Sequence, residues 1–277
     1  MIGYGPNYSS GFGAGSPLIT TTFANKPAPG PVGSQIYISD IGEYGAVFTS
    51  NGSVWSHTGD IEIIQKGKGW LLPSLAAANA ATYSQTGTTI TVTSVGHNIP
   101  ATGYNTKDVY LNMGVAATGA TIPPGFFSNF TYVSADSFTC TSTISQTGTG
   151  TVNTNIAEII VADLNNTIKG SVLGLDGKIH ISFLSSNNNS ATTKTVFFNF
   201  ATNPIDYPNT TTLFRNPKAD AIINRHSFTS QVMEHLSQPT LYAVDTSVDF
   251  NCGFSMLCEA ANDYVAIHSA SVYILIS

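Results

Sequence analysis

The fold class follows from one stretch of the chain, residues 46–57, which reads Ala46-Val47-Phe48-Thr49-Ser50-Asn51-Gly52-Ser53-Val54-Trp55-Ser56-His57. Two runs that alternate polar and apolar residues flank an Asn-Gly pair, and this pair is preferred in the two-residue type I′ turn of a β-hairpin. A two-residue loop places Phe48 opposite Trp55, so these two aromatic residues are the predicted core of a small β-module.

The predicted module and its connector span residues 34–77 and begin with a strand at Gln35-Ile36-Tyr37-Ile38-Ser39. About forty residues bury little apolar surface, so we expect the module to pack on a neighbour or on copies of itself. The one predicted helix is short, residues 74–81, and follows Pro73 with Ser74 as its N-cap.

Residues 78–155 are polar and nearly uncharged, and alternating runs predict a small β-domain there. The segment Ser-Gln-Thr-Gly-Thr occurs twice, at residues 84–88 and 145–149. Because the residues between the two copies do not repeat, we interpret the copies as two similar edge strands that close this domain, and not as a solenoid.

Residues 156–277 carry the largest predicted core. Residues 178–183 alternate cleanly after the turn-forming Asp176-Gly177, and further strand-like runs follow up to residue 276. This spacing is typical of an antiparallel sandwich of about seven or eight strands. The predicted fold is therefore mainly β, with an extended N-terminal arm, small β-modules and a C-terminal, jelly-roll-like β-sandwich.

Residues 1–33 contain seven Gly, five Pro and a single charged residue. Such a segment cannot build a core of its own, and a disordered tail is one interpretation. Its four aromatic residues are unusual for a plain flexible linker, so the alternative is an extended arm that docks on a partner protein. These residues are Tyr4, Tyr8, Phe12 and Phe23.

Only 9 % of the residues are charged, against about 25 % in a typical soluble domain. Thr (34), Ser (29) and Asn (22) together make up 85 of the 277 residues, so hydroxyls and amides must cover much of the surface. The net charge of -6 and the scattered basic residues argue against nucleic-acid binding. No apolar run approaches the roughly 18 residues of a membrane-spanning helix, and the N-terminus has no secretory pattern. We therefore expect folding in a cytosol, without disulfides among the three cysteines.

The motifs of catalysis and metal binding are incomplete. Residues 253–257 begin like a nucleophile elbow but lack its closing glycine. His226 and His235 are the closest histidine pair, and no third ligand has a recognisable spacing. We therefore predict no catalytic site, no metal site and no cofactor. Tyr207 and Tyr264 are aromatic candidates for stacking on sugar rings, although tyrosine is equally common as sandwich filler, and the receptor-binding residues stay open.

Several segments resemble the virion fibre proteins of bacteriophages. A Pro/Gly entry, an Asp-x-Gly-x-x-Gly turn and an Asn-Gly hairpin ending in Trp resemble the small β-module of these fibres, and they occupy residues 27–37, 39–45 and 50–55. Later segments resemble the terminal β-sandwich of phage fibre and spike proteins, and they occupy residues 173–179, 187–189 and 241–276.

The resemblance implies a tail fibre that is a homotrimer and not an enzyme. Its N-terminal arm would attach to other virion proteins, and its C-terminal sandwich would bind a glycan or protein on a bacterial surface. The expected location is the virion, after assembly in the host cytoplasm. A capsid decoration or head fibre protein is the first alternative. A polysaccharide-degrading tail spike is the second, although the long β-helix repeats usual in such spikes are not evident.

Overall fold

The computed structural model describes residues 18–42, 45–57, 61–75, 81–155, 157–170, 172, 178–188, 190, 192, 194–201, 220–229, 232–236 and 249–275. Strands make up most of the described residues, and the helical element found in these ranges is one 3-10 turn, Ala162–Leu164. The predicted mainly β fold is therefore confirmed. Within the described ranges, helices long and apolar enough to span a membrane are not found.

The chain divides into two compact units. The first consists of Met1–Asp40 and Tyr44–Thr58, and the second of Ile41–Glu43 and Gly59–Ser277. The strands of the first unit form one four-stranded sheet in sequence order, and they are β1 (Ile19–Thr21), β2 (Gln35–Ile38), β3 (Ala46–Ser50) and β4 (Trp55–His57). Strands β1 and β2 are parallel, and the other pairs are antiparallel.

The hairpin β3–β4 forms where the sequence predicts it, but its register differs. Ser50 pairs with Trp55, and Phe48 pairs with His57 and not with Trp55. The reason is Asn51, whose side-chain Oδ1 accepts hydrogen bonds from the backbone N–H groups of Ser53 and Val54, both at 2.9 Å. This side-chain turn lengthens the loop from two residues to four. The predicted contact of Phe48 with Trp55 across the ladder is therefore wrong.

Phe48 and Trp55 have separate roles in the first unit. Phe48 is buried, and its ring centroid lies 5.4 Å from that of His57. Trp55 is half-buried, and its indole N–H donates a 2.7 Å hydrogen bond to the carbonyl oxygen of Pro27. A backbone hydrogen bond of 2.8 Å from Gly33 to Ser50 adds a second attachment. The described part of the Gly/Pro-rich segment therefore lies along the module.

The predicted anchoring residues are only partly described. Phe23 follows β1, and its backbone N–H donates a 2.6 Å hydrogen bond to the carboxylate of Asp40. The ammonium of Lys26 lies 3.7 Å from the centroid of the Phe23 ring, a cation–π contact. Phe23 is thus half-buried in the first unit. Tyr4, Tyr8 and Phe12 lie outside the described residues.

The second unit contains two sheets. The strands are β5 (Ile61–Lys66), β6 (Trp70–Ser74), β7 (Ala81–Ser94), β8 (Asp108–Thr118), β9 (Gly125–Ser134), β10 (Ser137–Asn153), β11 (Ile159–Ile160), β12 (Asn166–Ile168), β13 (Lys178–Asn187), β14 (Lys194–Ala201), β15 (Asp220–Thr229), β16 (Val232–Leu236), β17 (Phe250–Cys258) and β18 (Asp263–Leu275). Ser74 therefore ends a strand and does not cap a helix. The rest of the predicted helix, residues 76–80, lies outside the described residues.

The larger sheet has the strand order β13-β18-β6-β8-β9-β10-β7, and β5 also pairs with β18. It joins strands from three of the segments expected from the sequence, residues 34–77, 78–155 and 156–277. Strand β8 pairs with β9 at its beginning and with β10 at its end, which curls this part of the sheet. The apolar side chains inside the curl form a continuous core that includes Leu71, Ile90, Val92, Val109, Leu111, Phe130 and Phe138.

The repeated Ser-Gln-Thr-Gly-Thr segments pair with each other in this sheet. Ser84 of the first copy lies opposite Thr149 of the second, and Thr86 lies opposite Thr147. Strand β7 is at the edge, as expected. Strand β10 is not an edge strand, because it also pairs with β8 and β9.

The smaller sheet has the order β11-β17-β14-β15-β16, with β12 also paired to β17. It packs face to face on the larger sheet, since the ring centroids of Phe183 in β13 and Phe254 in β17 are 5.5 Å apart. The three cysteines are buried and free. Burial raises the pKa of the Cys252 thiol to about 12, which makes it unreactive at neutral pH.

We expect Gly150→Ala to destabilise the second unit. A Cβ at residue 150 would lie 2.5 Å from the ring of Tyr83 and 2.6 Å from the carbonyl oxygen of Val115, where β10 is enclosed by β7 and β8. Overpacking of this kind lowers the free energy of unfolding by about 1–3 kcal/mol. Gly125→Ala in β9 is the control, because no atom lies within 4 Å of its added Cβ. Urea unfolding measures both variants, and equal stabilities would contradict the close packing.

Candidate functional site

A shallow depression with a volume of about 470 Å³ opens on the second unit. Its lining is polar and rich in asparagine: Asn98, Asn187, Asn188, Ser190, Ala261, Asn262, Asp263 and Tyr264. Three separate parts of the chain supply these residues, namely the loop after β7, the end of β13 with the loop that follows it, and the turn from β17 into β18. The depression therefore depends on the assembled sheet.

The carboxylate of Asp263 organises the floor of the depression. It accepts hydrogen bonds from Asn188 Nδ2 at 2.9 Å, from Ser190 Oγ at 2.7 Å and from Thr192 Oγ1. The ammonium of Lys194 lies 3.8 Å from Asp263 Oδ2 and completes the set. Since buried charges are stable only when they are paired and hydrogen-bonded, these partners explain how Asp263 can be 3 % exposed.

The ammonium of Lys194 holds the loop from the other side. This residue is fully buried, at 0 % exposure, at the start of β14. Its Nζ donates hydrogen bonds to the carbonyl oxygens of Ser190 at 3.1 Å and Thr192 at 2.8 Å, and to Ser190 Oγ. The buried cation thus holds Ser190 and Thr192 in place before any ligand arrives.

The turn before β18 is fixed by hydrogen bonds to its backbone groups. Asn262 has a φ of 63°, a left-handed conformation that asparagine tolerates. Its backbone N–H donates to Ser74 O at 2.6 Å, and its carbonyl oxygen accepts from Asn98 Nδ2 at 3.0 Å. The backbone N–H of Tyr264 donates to Asn188 Oδ1 at 2.9 Å. These bonds tie the three parts of the lining into one preformed surface.

The chemistry of the depression is that of neutral hydrogen bonding. Its lining residues include no lysine, arginine or histidine, and the carboxylate of Asp263 is saturated by its own partners. The Asn187 side chain takes part in no hydrogen bond with the described residues, so its amide can both donate to and accept from a ligand. Groups of three or more metal-ligating side chains are not found within the described ranges.

The residues singled out in the sequence lie elsewhere or play other parts. Tyr264 does line the depression, but it is 3 % exposed and packs edge-on against Tyr104, so its ring offers no stacking face. Tyr207 lies outside the described residues. The register of β15 and β16 places His226 opposite His235. Ser255 of the elbow-like segment is buried in β17 and donates a hydrogen bond to Glu158.

Apart from Tyr264, the residues that build the depression were not predicted from the sequence. The signals that bear on them are the run Asn187-Asn188-Asn189 and the turn-like Asn262-Asp263. Neither signal indicates that Lys194 contacts both the segment after the asparagine run and Asp263. The chain matches no family model, no curated protein and no solved structure at a significant level.

We expect Asp263→Asn to lower the free energy of unfolding by about 3–5 kcal/mol, because it leaves the buried ammonium of Lys194 without a counter-charge. The double variant Lys194→Met, Asp263→Asn removes both charges and should recover a large part of this loss. Urea unfolding of the single and double variants measures the coupling between the two residues. Losses that simply add would contradict the pairing.

Proposed function

We propose that this protein is a subunit of a bacteriophage virion fibre, and that its C-terminal part binds a neutral glycan on the bacterial surface at the asparagine-lined depression. The observation that carries the proposal is that the amide side chains of Asn98, Asn187 and Asn188 line a depression whose floor is held by the ion pair of Lys194 with Asp263. Carboxamides both donate to and accept from sugar hydroxyl groups, so such a lining suits a ligand with many hydroxyls.

The floor supports this proposal through preorganisation. Sugar hydroxyls exchange hydrogen bonds with water for hydrogen bonds with protein, and the net gain is small for each bond. A binding site for them therefore needs polar groups that are already in place, so that little conformational entropy is lost on binding. The bonds of Lys194 and Asp263 to Asn188, Ser190 and Thr192 provide this order.

The fibre part of the proposal is supported by the sequence and by the fold class. The resemblance to fibre modules covers much of residues 27–277, and the chain is mainly β and poor in charge. In this proposal the N-terminal residues attach to other virion proteins, the fibre is a homotrimer, and the depression binds its ligand without cleaving it. No cofactor takes part.

We expect Asn187→Ala to weaken glycan binding by roughly fivefold to tenfold, which corresponds to the loss of one or two hydrogen bonds. The variant should fold normally, since this side chain has no hydrogen bond with the described residues. Asn153→Ala is the control, because Asn153 is exposed and does not line the depression. The measurement is binding to an array of neutral and acidic bacterial surface glycans. Binding by the wild type to acidic glycans alone would overturn the proposal, as would equal binding by the Asn187 variant.

We expect the purified chain to have a solution mass near three times its monomer mass of 29.2 kDa. A fibre subunit that packs a small β-module on copies of itself would bury the apolar surface that one copy cannot bury alone. Light scattering coupled to gel filtration measures this mass over a range of concentrations. A monomer would contradict the fibre assignment and favour a decoration protein, without affecting the glycan site.

A further inference from the structure

A second polar cluster lies on the larger sheet, next to the depression. Tyr104 precedes β8, Ser186 is in β13, and His268 is in β18. The hydroxyl of Ser186 lies 2.7 Å from His268 Nε2 and 2.8 Å from the hydroxyl of Tyr104. Tyr104 in turn donates a 3.2 Å hydrogen bond to the hydroxyl of Tyr264. These four side chains form a continuous chain of hydrogen bonds.

Lys107 brings a positive charge to the same place. Its Nζ packs against Gly69. A Cβ added at residue 69 would clash with this ammonium. The same Cβ would lie 2.9 Å from the carbonyl oxygen of Ile267, the residue before His268. The space for the ammonium therefore exists because residue 69 is a glycine. The charge of Lys107 also acts on His268, since burial and this charge together lower the pKa of the imidazole.

Among the described residues, no carboxylate forms an ion pair with Lys107. The residue is only 9 % exposed. The ion pairs found among the described residues join Lys68 to Asp108, Lys169 to Asp249 and Lys194 to Asp263, and Lys107 takes part in none of them. Taking a lysine side chain largely out of water without a counter-charge costs free energy, and burial lowers the pKa of Lys107.

His268 lies at an irregularity of its strand. Pairing of β13 with β18 passes from Ser185–Ile267 directly to Leu184–Ser269, so no residue of β13 lies opposite His268. An extra residue of this kind is a β-bulge, which redirects a side chain and is common beside binding sites. The ring of His268 lies 5.6 Å from that of Tyr104, and its Nδ1 has no hydrogen bond with the described residues.

We propose that Lys107 and His268 form a binding site for a small oxyanion, a carboxylate or a phosphate group, beside the depression. The ammonium of Lys107 supplies the fixed charge. His268 supplies a donor that becomes positively charged when the anion stabilises its protonated form. Ser186 fixes the imidazole through Nε2 and leaves Nδ1 for the ligand. The site does not depend on glycan binding at the depression.

The test is thermal unfolding of the full chain in sodium acetate and sodium phosphate, with sodium chloride at equal ionic strength as the reference. Binding to the folded state alone should raise the Tm saturably, by roughly 5 °C when the anion reaches about 100 times its Kd. Lys107→Met should abolish this rise and should not lower the Tm in chloride, because it removes an uncompensated charge. Lys169→Met, which removes an ion-paired and more exposed lysine, should keep the rise.

Three further measurements distinguish the possible outcomes. Gly69→Ala retains Lys107 but displaces its ammonium, so it should weaken the anion effect at least tenfold in apparent Kd. The imidazole NMR signals of His268 should shift on titration with the anion in the wild type and not in the Lys107 variant. Glucuronate against glucose 1-phosphate then distinguishes a carboxylate from a phosphate ligand.

The proposal is overturned if the Tm rises equally in all three salts, or if the Lys107 variant responds as the wild type does. Asn187→Ala separates this proposal from the glycan site, because that variant should lose glycan affinity and keep the anion effect. A protein that binds anions and no glycan would therefore leave the anion site standing alone, and the reverse result would leave only the depression.

Discussion

The pairing of β18 with strands on both of its edges is the constraint on which the second unit depends. This strand pairs with β13 on one side and with β5 and β6 on the other. Strands β5 and β6 are the first strands of this unit and β18 is the last, so the larger sheet is complete only when the first and last strands of the unit meet. Closure of so long a loop costs conformational entropy before any contact is gained. The fully buried Val265, Ala266 and Ile267 show the apolar burial that offsets this cost.

The residues with site chemistry follow from this strand. Asp263, Tyr264 and His268 all belong to β18, and each meets a residue from a distant part of the chain: Lys194, Tyr104 and Ser186, respectively. Because so few residues are charged, the buried charges can be compared one by one by their hydrogen-bond and ion-pair partners. Lys194 has a full set of oxygen partners, whereas Lys107 has none among the described residues. This difference separates a cation that holds the protein together from one that is available to a ligand.

The sequence predicted strands well because alternation is a local property. It located the hairpin β3–β4 and the alternating start of β13, and it identified the two Ser-Gln-Thr-Gly-Thr copies as related strands. It missed the hairpin register because one hydrogen-bonding side chain, Asn51, overrode the preference of the Asn-Gly pair for a two-residue loop. It missed the depression because Asn98, Lys194 and Asp263 come together only through the sheet, and a single sequence contains no trace of that proximity.

Tyr264 connects the depression to the cluster around His268, and its contacts determine how strongly the two could influence each other. Its backbone N–H is held by Asn188, its hydroxyl by Tyr104, and its ring packs edge-on against that of Tyr104. A side chain that is buried and held at both ends has one conformation available. A ligand shifts a second site only when it favours one of two states. Since the contacts of Tyr264 favour the one conformation seen here, we expect the proposed glycan and anion sites to bind their ligands independently of each other.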